Sequence, residues 1–261
     1  MPRDPVTYPT AWPAWSLARQ TGVVELAVGE AVNDTSARPH RVTALLAAML
    51  SHVDGQPSTQ GLIRSLSMGT REWLLQQLAA LCRPAEDWYD LKCLGCDVGI
   101  DMVLDLSALP RTDPGGSFPV AEIRVSGRHL RFELPNGFHE EALADRGLTG
   151  LAALEHLLSA CLLDGDLSDL DAADLDAIDA ALDAAAPDCS DCVTLTCPDC
   201  GATQTARIDP MRYAFPGETA VLREVHLLGR SYRWHEADIL SMPSRRRQTY
   251  VRMITTQERI R

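Results

Sequence analysis

Two Cys-x-x-Cys pairs, Cys93/Cys96 and Cys197/Cys200, stand far apart in a chain of 261 residues. A tight turn with this spacing aims two sulfurs at one ion. Two such turns complete the tetrahedron of thiolates that zinc accepts. Each pair follows an apolar residue, Leu91 or Leu195, and precedes a segment reaching an Ile-Asp step, Ile100-Asp101 or Ile208-Asp209. The matching flanks predict a split ribbon in which Cys93, Cys96, Cys197 and Cys200 share one structural zinc. The long insert is no obstacle, because loop closure costs grow only logarithmically with length. A second set, Cys189, Cys192, Cys197 and Cys200, leaves the first pair without a partner. Two half-sites, a redox pair and knuckles without metal are the remaining alternatives. Cys82 and Cys161 lie in helical patterns and read as small core residues.

The 8 cysteines point to metal rather than disulfides. The start, Met1-Pro2-Arg3-Asp4-Pro5, has no apolar export core, and a reducing cytosol disfavours bridges. No apolar run approaches the roughly 20 residues of a membrane helix. The expectation is a soluble, cytoplasmic protein with no membrane partner. A net charge of -12 argues against nucleic acid as the main partner. The charge is uneven. No Lys or Arg occurs between Arg146 and Arg207, where Asp164, Asp166, Asp169, Asp171, Asp174, Asp176, Asp179 and Asp183 crowd together. The C-terminal segment is rich in Arg instead. Either these are two solvated faces, or the basic tail docks on an acidic surface, its own or a partner's.

Hydrophobic residues make up 46% of the chain but aromatics only 5%, so the core leans on Leu, Val, Ile and Ala. Residues 1–38, Pro-rich with Trp12 and Trp15, read as an irregular N-terminal arm. Residues 39–215 read as a mixed helical and zinc-ribbon body, and 216–261 as a helical C-terminal docking segment. Apolar spacing predicts helices over 42–53, 70–81 (capped by Thr70), 151–163 and from Ser168 to Pro187, with Leu170, Leu175, Ile178 and Leu182 inward. Asn136 caps another helix. Alternation predicts strands after Cys96, over 122–125 and 129–134, and after Cys200. In the tail, Val221, Leu222, Val225 and Leu228 share a helix face, residues 232–235 turn, and short helices follow at 236–242 and from Pro243. The fold class is α+β: helices around a small β unit with a split four-Cys ribbon and a helical tail.

No phosphate loop, nucleophile elbow, dinucleotide fingerprint or zinc-protease spacing is present, and four Cys read as a closed site rather than a catalytic one. No catalytic residue is assigned, and the chain reads as non-enzymatic. The Asp run lacks a calcium-loop pattern and fits the outer side of a helix. His226 and His235 read as packing or capping residues.

The tail from Leu222 to Pro243, with Arg245-Arg246-Arg247 and Tyr250, and the Cys-Pro-x-Cys-Gly knuckle upstream resemble the T-even-type phage baseplate hub assembly chaperone family. Relatives of that family occur in contractile phage tails and extracellular contractile injection systems. The likeness is strong over 190–254. It is moderate over 70–164, through the first knuckle and Arg131-Phe132-Glu133-Leu134-Pro135, and absent over the first 40 residues. Family positions match at Cys93, Cys96, Cys197, Cys200, Val225, His226, Tyr232, Trp234, Ile239, Leu240, Pro243, Arg246 and Arg247. Two departures stand out: Asp97 where the second knuckle has Gly201, and the additional Cys189 and Cys192.

The resemblance implies a role in assembling the hub or spike of a contractile-tail baseplate in a bacterial cytoplasm, with release from or retention in the particle. A permanent baseplate subunit is the first alternative and a zinc-ribbon nucleic-acid binder the second. On physical grounds Tyr232, Trp234 and Tyr250 can anchor a docking element, while Arg245, Arg246 and Arg247 meet an acidic partner. The competing reading packs the aromatics inside and leaves the arginines solvated.

Overall fold

Leu45, Leu46 and Met49 recur at helical spacing. In the structure, a computed structural model describing residues 3–83 and 87–260, they line the buried side of a helix. The chain divides into two compact units, Met1–Trp12 with Gly61–Ala214, and Pro13–Gln60 with Phe215–Arg261. The expected boundaries therefore shift. Residues 39–60 belong with the C-terminal segment rather than with the body.

The second unit begins with β1 (Trp15–Leu17), α1 (Gly22–Asn33), α2 (Arg38–Met49), β2 (Leu50–Val53) and β3 (Gln56–Pro57). Helix α1 occupies 12 residues of the expected irregular arm. Its Val and Gly residues have modest helix propensity, so packing rather than local preference sustains it. Gly29 lets the backbone of Glu218 approach to where a Cβ would lie 2.3 Å from its nitrogen. The helix expected to reach Val53 stops at Met49, because Asp54-Gly55 turns β2 back onto β3 with both residues at positive φ.

The first unit follows. Helix α3 (Gln60–Ser65) leads to α4 (Met68–Cys82). Ser67 caps α4, its hydroxyl accepting from the Thr70 amide at 3.3 Å. Thr70, the expected cap, instead donates to the Ala11 carbonyl at 2.7 Å. Strands β4 (Asp87–Lys92) and β5 (Gly99–Leu104) form one hairpin, and β6 (Arg111–Thr112) lies beyond. Strands β7 (Val120–Val125) and β8 (Arg128–Glu133) turn at Ser126-Gly127 as the sequence predicts. Helix α5 (Gly137–Arg146) starts at the expected cap, with the Asn136 side chain accepting from the amides of Phe138 and His139. Helix α6 (Gly150–Cys161) ends earlier than expected, because Leu162–Asp164 (β9) pairs with β8. Helix α7 (Ala172–Ala185) starts at its Asp171 cap rather than at Ser168, and buries Leu175, Ile178 and Leu182. These three pack with Ile123, Leu130, Phe132 and Leu158 into one core. Each such side chain contributes about 1.5–3 kcal/mol. Strands β10 (Asp188–Cys189), β11 (Cys192–Thr196) and β12 (Thr203–Arg207) and helix α8 (Pro210–Tyr213) complete the unit.

The N-terminal residues of this unit are latched to the β sheet. Glu133, 5% exposed, accepts from the amides of Val6 (2.7 Å) and Thr7 (2.9 Å) and from the Thr7 hydroxyl (2.9 Å). Trp12 packs edge-on against Trp73 and donates from Nε1 to Asp113. Glu133→Ala strands these buried donors, so stability is expected to fall by on the order of 3 kcal/mol. Faster hydrogen exchange at the Val6 and Thr7 amides checks this.

The second unit resumes with α9 (Thr219–Tyr232), α10 (Glu236–Ser241) and α11 (Ser244–Ile260). Arg233, at φ 58, closes α9. Leu228, Ile239 and Ile254 form the core that joins the three helices. The architecture is α+β, with several small sheets among helices. No helix among the described residues is long and apolar enough to cross a membrane.

Candidate metal centre

Each Cys pair occupies the tip of an antiparallel hairpin, β4–β5 for Cys93/Cys96 and β11–β12 for Cys197/Cys200. The two tips have the same backbone hydrogen bonds. The Cys93 amide donates to the Val98 carbonyl at 2.8 Å, and the Asp97 amide to the Cys93 carbonyl at 2.9 Å. Their counterparts run from Cys197 to Ala202 at 2.9 Å and from Gly201 to Cys197 at 3.0 Å. The flanking similarity in the sequence thus reflects one repeated turn.

Asp97 stands where the second knuckle has Gly201, yet both are left-handed, with φ 59 and 74. Asp tolerates this region better than most residues with a Cβ. Asp97→Gly is therefore expected to leave metal affinity intact. The β-branched Asp97→Val costs about 1–2 kcal/mol of turn strain and weakens metal binding about tenfold. A competition titration with a chromophoric chelator measures both.

The four sulfurs lie within 4.8 Å of one another. Cys93 Sγ is 3.6 Å from Cys200 Sγ, and Cys96 Sγ is 3.7 Å from Cys197 Sγ. A tetrahedron with metal–sulfur bonds of about 2.3 Å has edges of about 3.8 Å. A disulfide needs about 2.05 Å. The donor set therefore fits a thiophilic ion held by all four residues. Cys93 and Cys197 are buried, Cys96 half-buried and Cys200 exposed. Ile100, Leu195 and Ala202 pack around them.

The amides of Gly95 and Cys96 point at the Cys93 sulfur and lower its pKa to about 7. At Cys96 the Val98 amide also favours the thiolate, but burial and the neighbouring sulfurs outweigh it and push the pKa up to about 12. At Cys200 the Ala202 amide and the Cys96 sulfur favour the thiolate, but the Cys93 and Cys197 sulfurs and burial together raise its pKa. A bound cation supplies the positive charge that four crowded thiolates need.

Gln204, which carried no sequence signal, ties the hairpins together. From β12 its Oε1 accepts from the Leu94 amide at 2.7 Å, and its Nε2 donates to the Lys92 carbonyl at 3.0 Å.

The other cysteines stay apart from this cluster. Cys189 is buried and donates to Gln76 Oε1 at 2.8 Å, and burial pushes its pKa up to about 11. Cys192 is exposed beside Asp191. The alternative set with Cys189 and Cys192 is not assembled. Cys82, expected in the core, is exposed near the end of α4. Cys161 is buried 3.7 Å from His139 Nδ1, which also accepts the Asn136 amide, and His139 Nε2 lies 3.8 Å from Glu133. Burial pushes the Cys161 thiol up to about 12, so it stays protonated and this trio packs rather than reacts.

The expected docking residues separate into two groups. Tyr232 stacks on Trp234 with ring centroids 4.6 Å apart, and Tyr250 meets Trp234 edge-on at 5.0 Å. Tyr232 is 39% exposed, whereas Trp234 and Tyr250 are half-buried. Arg245 and Arg246 are exposed, and the Arg246 guanidinium lies 5.8 Å from the Tyr250 ring centre. Arg247 does not belong with them. It is fully buried and bridges Glu25 of α1 and Glu224 of α9. Arg247 thus pairs with two carboxylates of its own unit. His226 and His235 are exposed. His235 takes the N-cap position of α10 without a side-chain hydrogen bond, so neither packs nor caps through its ring.

No protein-family model, no curated protein and no solved structure matches the chain.

Proposed function

We propose that the chain is a non-enzymatic assembly protein stapled by one structural zinc ion, acting on the hub or spike of a contractile-tail baseplate. The sulfur tetrahedron, built from two hairpins remote in sequence, carries the zinc part of this reading. Zinc is the ion that four thiolates in a tetrahedron suit best, and a site with four protein ligands leaves no open position for catalysis. The assembly part rests on the likeness of the tail and second knuckle to the baseplate hub assembly chaperones. The exposed edge of the Tyr232–Trp234–Tyr250 cluster, with Arg245 and Arg246 beside it, suits capture of an acidic partner. Nucleic acid fits the metal centre poorly. Asp90, Asp97, Asp101 and Asp199 are exposed around the knuckles, with Lys92 as the nearby cation.

Mass spectrometry of proteins recovered with the tagged chain from producing cells, alongside the composition of finished particles, tests the role. Hub or spike proteins in the recovered material, with the chain missing from particles, support a chaperone. Its presence in particles at fixed stoichiometry replaces that reading with a permanent baseplate subunit. Absence of baseplate proteins from both removes the baseplate from the account.

A further inference from the structure

The first unit contains a groove of about 520 Å³ between the start of α4, the outer side of α6 and the end of α7. That volume lies in the range of sites that take small ligands or a few side chains. Met68, Leu157, Leu182 and Pro187 supply an apolar floor, and Met68 is 43% exposed there. Gly69 shapes one wall. Its missing Cβ lets the Pro187 carbonyl come to 1.8 Å from where that atom would stand. Asp179, Asp183 and Asp188 line the rim.

Among the described residues none of these three carboxylates takes part in an ion pair. The charge is also unbalanced at larger scale. The first unit has 12 Lys and Arg against 27 Asp and Glu, a net of -15, and the second has 12 against 9, a net of +3. Burial, Asp179 and Asp188 all push the Asp183 pKa up, so its charge lacks compensation where it stands.

We propose that this groove binds a basic, apolar-bearing peptide segment of the assembly partner. The stem of an Arg or Lys lies on Leu157, its head meets Asp179 and Asp183, and a neighbouring apolar side chain covers the exposed part of Met68. Long cationic side chains bury their stems on apolar surface while their heads find charge. The chain then grips its partners at two unlike surfaces, the aromatic and basic tail and this acidic groove. That the segment belongs to an assembly partner rests on the function proposed above. The groove itself does not, because the binding experiment needs only the purified chain, whereas the recovery experiment tests the baseplate alone.

The test is a titration of the full chain, isotope-labelled at its Met methyl groups, with an acetylated peptide of alternating Leu and Arg at low salt (about 50 mM). The Met68 methyl is expected to shift and saturate while Met253 of α11 stays in place. Asp179→Asn with Asp183→Asn weakens the binding by about tenfold or more. Asp176→Asn, on the same helix but outside the groove, leaves it unchanged, and an alternating Leu and Glu peptide gives no shift. An unmoved Met68, or equal binding by the Asp179→Asn/Asp183→Asn variant, overturns the proposal. So does a Met68 shift that grows with protein concentration alone and vanishes in Arg245→Glu/Arg246→Glu, which makes α11 of a second copy the occupant.

Discussion

Replacing Arg247 by alanine is expected to lower stability by about 3–5 kcal/mol. The guanidinium is fully buried between Glu25 and Glu224, and its removal leaves two carboxylates facing each other across helices α1, α9 and α11. The carboxylates keep some contact with water, at 26% and 21% exposure, which places the effect toward the lower end. Arg246→Ala, one residue away and exposed, changes stability by about 0.5 kcal/mol or less. Urea denaturation of both variants makes the comparison. Equal, small losses contradict the buried clamp. A recovery of stability when Glu25→Gln and Glu224→Gln are added to Arg247→Met supports it, since a neutral trio has no uncompensated charge.

Cys197→Ser is expected to abolish tight metal binding and to release both hairpins. Two-stranded ribbons are marginal by themselves, and the apolar cluster at the sulfurs holds little beyond Ile100, Leu195 and Ala202. A bound ion would therefore supply, together with the two Gln204 hydrogen bonds, most of what joins β4–β5 to β11–β12. Structural zinc contributes about 10 kcal/mol or more in small zinc domains, so several kcal/mol of that is expected to disappear here. Amide exchange in both hairpins accelerates by orders of magnitude, while the β7–β8–β9 sheet with its own core keeps its protection. Metal binding also weakens as pH falls, because protons compete for the thiolates. Hairpins that stay protected in Cys197→Ser contradict this division of labour.

Much of this arrangement is legible in the residues. The four-Cys cluster is, because Cys-x-x-Cys spacing fixes a local turn and the flanks of the two pairs match. Helix α7 and the Asn136 cap are, because periodicity and cap chemistry act within one or two turns. What is not legible depends on contacts between distant segments. Helix α1, with its Val and Gly residues, has no strong local pattern and forms against α2, α9 and α10. Leu50–Val53 and Leu162–Asp164 carry apolar residues that suit the preceding helices equally well. Pairing with β1 and with β8 decides for strand. Arg247 is indistinguishable from Arg245 and Arg246 in sequence. Only the helical rotation of α11, which turns one residue in the run toward Glu25 and Glu224, separates clamp from surface. Gln204 and Glu133 belong to the same class, since each acts on backbone groups more than a hundred positions away.

Native mass spectrometry of the full chain and its cysteine variants counts the metal ions bound. One zinc per chain is expected, retained in Cys189→Ser and Cys192→Ser and lost in both Cys93→Ser and Cys197→Ser. Two ions per chain, none, or one that survives loss of Cys93 but not of Cys192 would contradict it.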